Sequence, residues 1–225
     1  MKKVLVLLLA MITVSAFAQR TIDKEVGDFN KIKVFDLIEV NLIQSNENRI
    51  LIKGKNVDDI RVVNSDGTLK LRMQFEQKFR GEDTVIEVFY KHLDLIDGNE
   101  GAKIVCNEMI EQDKLEIRAQ EGARIKAGLD ITDLTARSVT GGIIEVSGLA
   151  QNQWVVLNTG GIFEGRELRT ENTDIKITAA GEAEVYASDK VDISVTAGGD
   201  VYVYGNPKDV NKKTLAGGRV YIKDF

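Results

Sequence analysis

Apolar and polar residues alternate along most of the chain, which is the pattern of β-strands with one buried face. This alternation is clear over residues 32–42 and in the stretch TVIEVFY at 84–90. The stretch RVVNSDGTLKL places Asp66 and Gly67 between two β-rich arms, which predicts a hairpin. Helical periodicity is missing except for a possible single turn at 55–60. The pattern predicts an all-β protein with an antiparallel N-terminal region.

From Gly98 onward the chain repeats a short phrase of one or two glycines followed by alternating apolar residues, and sixteen of the twenty glycines lie there. The marker glycines of this phrase are Gly101, Gly122, Gly142, Gly161, Gly181, Gly199 and Gly218. They are 21, 20, 19, 20, 18 and 19 residues apart. A fixed period near twenty residues with two short strands per unit is typical of a solenoid. The sequence therefore predicts a C-terminal parallel β-helix or β-solenoid with about 19–20 residues per coil.

The sequence predicts three segments: a signal peptide at 1–19 and, divided by the change in glycine content, an N-terminal β region at 20–97 and solenoid repeats at 98–225. The first segment has two lysines, an apolar run too short to span a bilayer, and a small-residue cleavage site. These features predict export to the periplasm or to the cell surface. After removal of the signal peptide, no transmembrane segment is expected.

The repeat also predicts which side chains are buried. Glycine is expected at the corner of every coil because it accepts a positive φ without a clash. The alternation that follows assigns the faces. The side chains expected to point inward are Ile144, Val146, Ala183, Val185, Val201, Val203, Val220 and Ile222. Asp200, Tyr202 and Tyr204 are expected to point outward.

Charge and the scarcity of cysteine and histidine exclude several function classes. The formal charge is -5, and loss of Lys2 and Lys3 with the signal peptide changes it to -7. Nucleic acids and anionic membranes need a basic face, so neither is an expected partner. Cys106 and His92 are each alone in the chain. This excludes an internal disulfide and leaves the usual zinc and Cys/His nucleophile sites incomplete, so no cofactor or metal is expected.

Three features together resemble a known family. They are the signal peptide, the opening FNKIKVFDLIEVNLIQS at 29–45 with the DGTLKL hairpin at 66–71, and the paired glycines of the later rungs. In these the chain is similar to the putative auto-transporter adhesin family known by its head GIN domain, found widely in Bacteroidetes-type bacteria. The resemblance covers nearly all of the mature chain. It implies a β-helix-like fold and an adhesin-like role, with no catalytic residues to carry over.

Outward side chains of successive rungs are expected to form columns with a spacing of about 4.8 Å. The candidate binding residues in two such columns are Glu145, Glu164, Glu184, Tyr186, Tyr202, Tyr204 and Tyr221. Tyrosine offers a sugar an apolar ring and a polar tip, but it can also stack only for rung stability. The glutamates form either a solvated stripe partly neutralised by Arg166 or an oxygen-rich ladder for calcium. Trp154 is expected to pack, and Cys106 to face inward.

These features favour a non-catalytic adhesin-like or scaffold module of the cell envelope that presents a repetitive face to a glycan or to another protein. The alternative is a polysaccharide lyase or hydrolase built on a β-helix. Glycosidases place two carboxyl groups at set separations inside a groove. A uniform ladder on a flat face gives no reason for one carboxyl to differ from the next. Neither the partner nor the oligomeric state follows from the sequence.

Overall fold

The computed structural model describes residues 20–223, and the predicted signal peptide lies outside the described residues. Fifteen strands account for most of this range. In chain order they are β1 (Thr21–Glu25), β2 (Lys31–Val34), β3 (Glu39–Gln44), β4 (Arg49–Gly54), β5 (Ile60–Ser65), β6 (Thr68–Met73), β7 (Thr84–Tyr90), β8 (Leu95–Gly98), β9 (Lys103–Gln120), β10 (Arg124–Val139), β11 (Ile143–Asn158), β12 (Gly161–Ala179), β13 (Gly181–Tyr186), β14 (Lys190–Tyr204) and β15 (Asp209–Ile222). Two 3₁₀ helices, Val57–Asp59 and Phe75–Gln77, are the helical elements of the described range. The predicted all-β class is confirmed.

From β9 onward the chain winds as a parallel solenoid, and the whole structure has about seven such turns. Strand segments of successive turns pair in two stacks. In the first stack the equivalent positions are Lys103, Arg124, Ile143, Ile162, Glu182, Asp200 and Arg219. In the second stack they are Leu115, Leu134, Gln153, Thr173, Val191 and Val210. Steps of 18 to 21 residues in the first stack confirm the predicted period.

The N-terminal strands add to the solenoid in an order that differs from their order in the chain. β2 pairs in parallel with β6 and β8, and β3 pairs in parallel with β7 and β9. The turn formed by β2 and β3 therefore lies between two later turns. β1 pairs antiparallel with β4, β4 with β7, and β5 with β6, which confirms antiparallel strands in this part. Whether 20–97 and 98–225 form separate units stays a prediction.

Inward side chains of both stacks meet in one hydrophobic core that extends from Phe29 to Val203. Six of the eight predicted inward side chains are buried, namely Ile144, Val146, Ala183, Val185, Val201 and Val203. The prediction is wrong for Ile222, which is 42% exposed, and Val220 is only half-buried. Both belong to β15, the last described turn, and no following turn covers them. Cys106 is buried as predicted, and burial raises the pKa of its thiol to about 12.

Tight corners connect the second stack to the first stack. Six of these corners have two consecutive residues with left-handed φ, namely Asp36-Leu37, Glu100-Gly101, Glu121-Gly122, Thr140-Gly141, Thr159-Gly160 and Gly198-Gly199. At Ala180-Gly181 the second φ is 159°, which is nearly extended. The predicted role of the marker glycines is right for Gly101, Gly122 and Gly199 but wrong for Gly142, Gly161 and Gly218, whose φ is not positive. The second glycine of a pair has another function. A Cβ on Gly161 would lie 2.0 Å from the carbonyl oxygen of Ser138, so this position allows two backbones to approach closely.

Alanine substitutions at Gly160 and Gly161 separate these two requirements. Gly160 has a φ of +74°, and nothing lies within 4 Å of an added Cβ. Gly160→Ala should therefore cost only about 1 kcal/mol of left-handed strain. Gly161→Ala should cost more, because its Cβ would force two turns of the solenoid apart. The midpoint of urea unfolding measures both effects, and equal midpoints would contradict this assignment.

A fully buried carboxyl group, Asp36, and a half-buried one, Glu100, meet at the corner of the β2–β3 turn. Asp36 is fully buried, and its Oδ2 accepts a hydrogen bond of 3.0 Å from the backbone N–H of Met73. Its Oδ1 and the Oε2 of Glu100 are buried without a donor among the described residues. Burial, the charge of Asp36 and a hydrogen bond to Asp36 raise the pKa of Glu100, and Lys78 and Arg72 oppose this shift. We expect a proton on Glu100 to supply the missing donor between the two groups.

Glu100→Gln should make the stability less dependent on pH. Because the folded state raises the pKa of Glu100, this carboxyl contributes stability below its unfolded pKa. That contribution is lost as the pH rises through the folded pKa. Glutamine keeps a donor and carries no charge, so Glu100→Gln should show a smaller fall of the thermal midpoint from mildly acidic to neutral pH. Circular dichroism at several pH values provides the measurement.

Glu121→Gln is the matched control, since Glu121 has nearly the same φ at the next corner, 52° against 51° for Glu100. Its side chain is exposed, so its variant should follow the wild-type pH profile. If Glu100→Gln also follows the wild-type profile, the two carboxyl groups do not share a proton.

Candidate functional site

One column of outward side chains in the first stack contains most of the predicted binding residues. The Cα partners in this column are Lys126, Glu145, Glu164, Glu184, Tyr202 and Tyr221. A second column on the same side pairs Tyr186 with Tyr204. The register therefore brings all seven predicted residues to one side of the solenoid. We name this surface, formed by the seven residues and Lys126, the tyrosine face.

Tyr202 and Tyr221 stack on each other along the solenoid axis. Their ring centroids are 5.0 Å apart, and the ring planes differ by 11°. The ammonium of Lys223 lies 5.4 Å from both centroids. Because each ring covers one face of the other, the pair offers a ligand its edges and hydroxyl groups more than its flat faces.

Tyr186 and Tyr204 are covered by arginines from an earlier turn. The guanidinium of Arg169 lies 5.6 Å from the ring centroid of Tyr186, and that of Arg166 lies 4.6 Å from the centroid of Tyr204. Tyr204 is only 9% exposed. The expectation that Tyr204 is presented to solvent is wrong, because Arg166 and its neighbours cover the ring. Tyr204 therefore packs beneath the tyrosine face instead of contacting solvent.

The glutamate column is partly neutralised. Lys126 Nζ lies 2.6 Å from Glu145 Oε1. The ion pair of Arg166, at 3.9 Å, is with Glu167, which lies outside this column. Glu164 and Glu184 are half-buried and line one shallow depression together with Glu145. The face therefore presents acidic oxygens at its centre and tyrosine edges towards its C-terminal end.

An ion pair borders the stacked tyrosines. Arg219 donates two hydrogen bonds of 2.6 Å to the carboxylate of Asp200, which raises the pKa of the arginine. Partial burial, followed by the charges of Asp200 and Glu182, raises the pKa of Tyr202. The Tyr202 hydroxyl therefore remains a proton donor at neutral pH.

The outward side chains of the second stack form a different surface, with a single aromatic residue at its centre. One column consists of Glu116, Thr135, Trp154, Asp174, Asp192 and Asn211. The neighbouring column consists of Lys114, Asp133, Asn152, Asn172, Lys190 and Asp209. We name these two columns the tryptophan face.

The prediction that Trp154 packs is wrong, because its side chain is 43% exposed. A strict alternation would have placed it correctly, since Val155 and Leu157 are buried and residue 154 must then alternate outward. Gln153 hides this alternation in the sequence, because it is a polar side chain that is only 1% exposed and points into the core.

Over residues 20–223 no cluster of three or more His, Cys, Asp or Glu side chains has a geometry suited to a metal ion. Within the same range, no helix has the length and apolar character needed to cross a bilayer.

A family model described as "Putative auto-transporter adhesin, head GIN domain" matches residues 28–207. A search of curated proteins found no match. Solved structures do resemble the chain. A putative adhesin from Bacteroides fragilis NCTC 9343 has a TM-score of 0.85 at 21% identity, over 92% of this chain and 98% of that one.

Two structures from Parabacteroides are also similar. A putative adhesin from Parabacteroides merdae ATCC 43184 has a TM-score of 0.73 at 18% identity, over 91% of this chain and 96% of that one. A putative lipid binding protein from Parabacteroides distasonis ATCC 8503 has a TM-score of 0.70 at 16% identity, with the same coverage of 91% and 96%. At these identities the likeness shows the fold alone.

The stacked tyrosines generate a prediction about stability. Tyr202→Ala and Tyr221→Ala each remove the same ring contact, so their effects should not add. A double-mutant cycle should give a coupling of about 0.5–1.5 kcal/mol, as for other stacked aromatic pairs. The cycle of Tyr186→Ala with Tyr221→Ala is the control and should be additive, because these residues lie in different columns. Additivity in both cycles would mean that the stack does not stabilise the last turns.

Proposed function

Because the chain belongs to the putative auto-transporter adhesin, head GIN domain family, we propose that it is a non-catalytic adhesin-like module of the cell envelope. Its tyrosine face contacts a glycan or an envelope protein. The signal peptide exports the chain to the periplasm or the cell surface. The rigid parallel solenoid holds the contact residues in fixed columns, which is the mechanical role of the fold in this function.

The observation that carries this proposal is the register of the tyrosine face. Tyr202 and Tyr221 are held in one orientation by their stack, and Glu164 and Glu184 follow in the same column. Side chains that are already ordered lose little conformational entropy when a partner binds. Tyrosine and arginine are enriched in contact surfaces because they combine a large apolar area with a hydrogen-bonding group.

The geometry indicates how such a face recognises its partner. The tyrosine hydroxyl groups donate hydrogen bonds, while Glu164 and Glu184 accept them from hydroxyl or ammonium groups. The lyase or hydrolase alternative has no support from the residues at 20–223, and the family description names an adhesin. A binding function therefore accounts for this surface better than a catalytic one.

Three variants test the proposed face. Tyr202→Ala/Tyr221→Ala should fold and lose retention by about tenfold or more, because the ordered edge of the face is removed. Tyr202→Phe/Tyr221→Phe keeps the stack and removes the hydroxyl groups, so it isolates their hydrogen bonds. Glu164→Gln/Glu184→Gln removes the charges. Retention is measured on an array of immobilised polysaccharides and on separated envelope proteins.

The outcomes identify the partner class. Loss on the polysaccharide array indicates a glycan, whereas loss only on the envelope proteins indicates a protein. If all three variants bind every surface as the wild type does, the tyrosine face is not a binding surface. Circular dichroism of each variant shows that any loss does not come from unfolding.

A further inference from the structure

The tryptophan face has a site of its own at Trp154. Two shallow depressions meet at the indole. One, of about 310 Å³, is lined by Glu116 and Asp133, and the other, of about 230 Å³, by Asn172 and Asp174. Taken together they reach the size range of small-ligand sites, roughly 300–1,000 Å³. The indole therefore lies at the centre of a polar groove that follows the solenoid axis.

The indole is accessible in a way that the stacked tyrosines are not. Its column neighbours are Thr135 and Asp174, neither of which is aromatic, and it is 43% exposed. An indole offers a wide apolar face together with one N–H donor. The apolar C–H face of a pyranose ring matches this surface, because stacking removes apolar area of both groups from water while the sugar hydroxyls stay at the rim.

The polar groups beside the indole are ordered before any ligand binds. Asn172 Nδ2 donates to Asn152 Oδ1 at 3.0 Å, and Asn152 Nδ2 donates to Asp133 Oδ1 at 3.0 Å. Asp174 is next to the indole, and among residues 20–223 it makes no hydrogen bond or ion pair. The ammonium of Lys190, which pairs with Asp192 at 2.8 Å, also interacts with the charge of Asp174, and this helps to raise the pKa of Lys190. The Asp174 carboxylate can therefore accept hydrogen bonds from neighbouring hydroxyl groups of a ligand.

The charge of the groove selects between classes of glycan. Five carboxylates and two ammonium groups line the two depressions: Asp94, Glu116, Asp133, Asp174, Asp192, Lys114 and Lys190. An excess of negative charge disfavours uronate or sulfate groups. The spacing of about 4.8 Å between rungs is close to the length of one pyranose in an extended chain, so successive turns can contact successive sugars.

The backbone beneath the site is fixed by buried hydrogen bonds. Gln153, which precedes Trp154, donates from Nε2 to Thr173 Oγ1 at 2.8 Å and to the carbonyl oxygen of Tyr186 at 3.1 Å. Thr173, which precedes Asp174, also donates to that carbonyl oxygen, at 3.0 Å. These bonds connect the two turns that carry the indole and the free carboxylate, so their relative position is held from inside the core.

We propose that Trp154, Asp174 and the amides of Asn152 and Asn172 bind a neutral glycan chain lying along the solenoid axis. One pyranose stacks on the indole, and Asp174 accepts hydrogen bonds from its hydroxyl groups. The site is on a different face from the tyrosine face. It shares with the proposed function only the adhesin-like role.

The single tryptophan of the chain makes the test direct. Saturable quenching or a blue shift of the tryptophan fluorescence is expected when cellohexaose, laminarihexaose or mannohexaose is titrated into the mature chain. An oligogalacturonate is the acidic probe, and it should bind weakly or not at all. Calorimetry gives the affinity of variants that lack the fluorophore. Trp154→Ala should bind the preferred neutral probe about tenfold more weakly or worse, and Asp174→Asn should show a smaller loss.

Controls keep this test separate from the test of the tyrosine face. Trp154→Phe keeps an aromatic face and should retain part of the affinity. Phe75→Ala removes an exposed aromatic side chain outside both faces and should bind the neutral probes as the wild type does. Tyr202→Ala/Tyr221→Ala is measured in parallel, and loss of the neutral probes in this variant alone would support the tyrosine face and overturn the site at Trp154. Failure of all three neutral probes, preference for the oligogalacturonate, or wild-type affinity of Trp154→Ala would each overturn the proposal as well.

Discussion

In-register pairing of backbones between turns of nearly equal length is the constraint on which the rest of the structure depends. From β9 onward, each parallel ladder ties a residue to its equivalent 18 to 21 residues away. A slip of one residue would exchange inward and outward side chains throughout a turn. Irregular lengths are therefore absorbed locally, as at the bulge between Glu145 and Ser147, where the partner strand has an additional residue. The columns of both faces persist on either side of it.

Local pattern was enough to predict the strands, the hairpin at Asp66-Gly67, the period and the column from Glu145 to Tyr221. These features depend on alternation and spacing, which are properties of neighbouring residues. The position of β2 and β3 between later turns could not be predicted in this way, because no local signal says which turn stacks on which. The corner of that turn also hides the repeat, since it has Leu37 where later corners have glycine.

The candidate site was predictable at the level of columns and not at the level of contacts. The register placed Tyr204 on the correct side, but only side-chain geometry shows that Arg166 covers its ring. For Trp154 the difficulty was different. An inward glutamine beside an outward tryptophan reverses the usual relation between polarity and burial, so the hydrophobic pattern is misleading at this rung.

The inward position of Gln153 has a structural cause in the core. The turn from Glu182 to Asp200 is the shortest of the described turns, at 18 residues, and β13 ends at Tyr186. The carbonyl oxygen of Tyr186 accepts hydrogen bonds from the side chains of Gln153 and Thr173. The arrangement leaves Gln153 Oε1 buried without a donor among the described residues, which costs stability.

A core selected only for stability would use apolar residues here, since buried polar networks contribute conformational specificity more than stability. This cluster holds the strands carrying Trp154 and Asp174 in register, which is what the proposed glycan site requires.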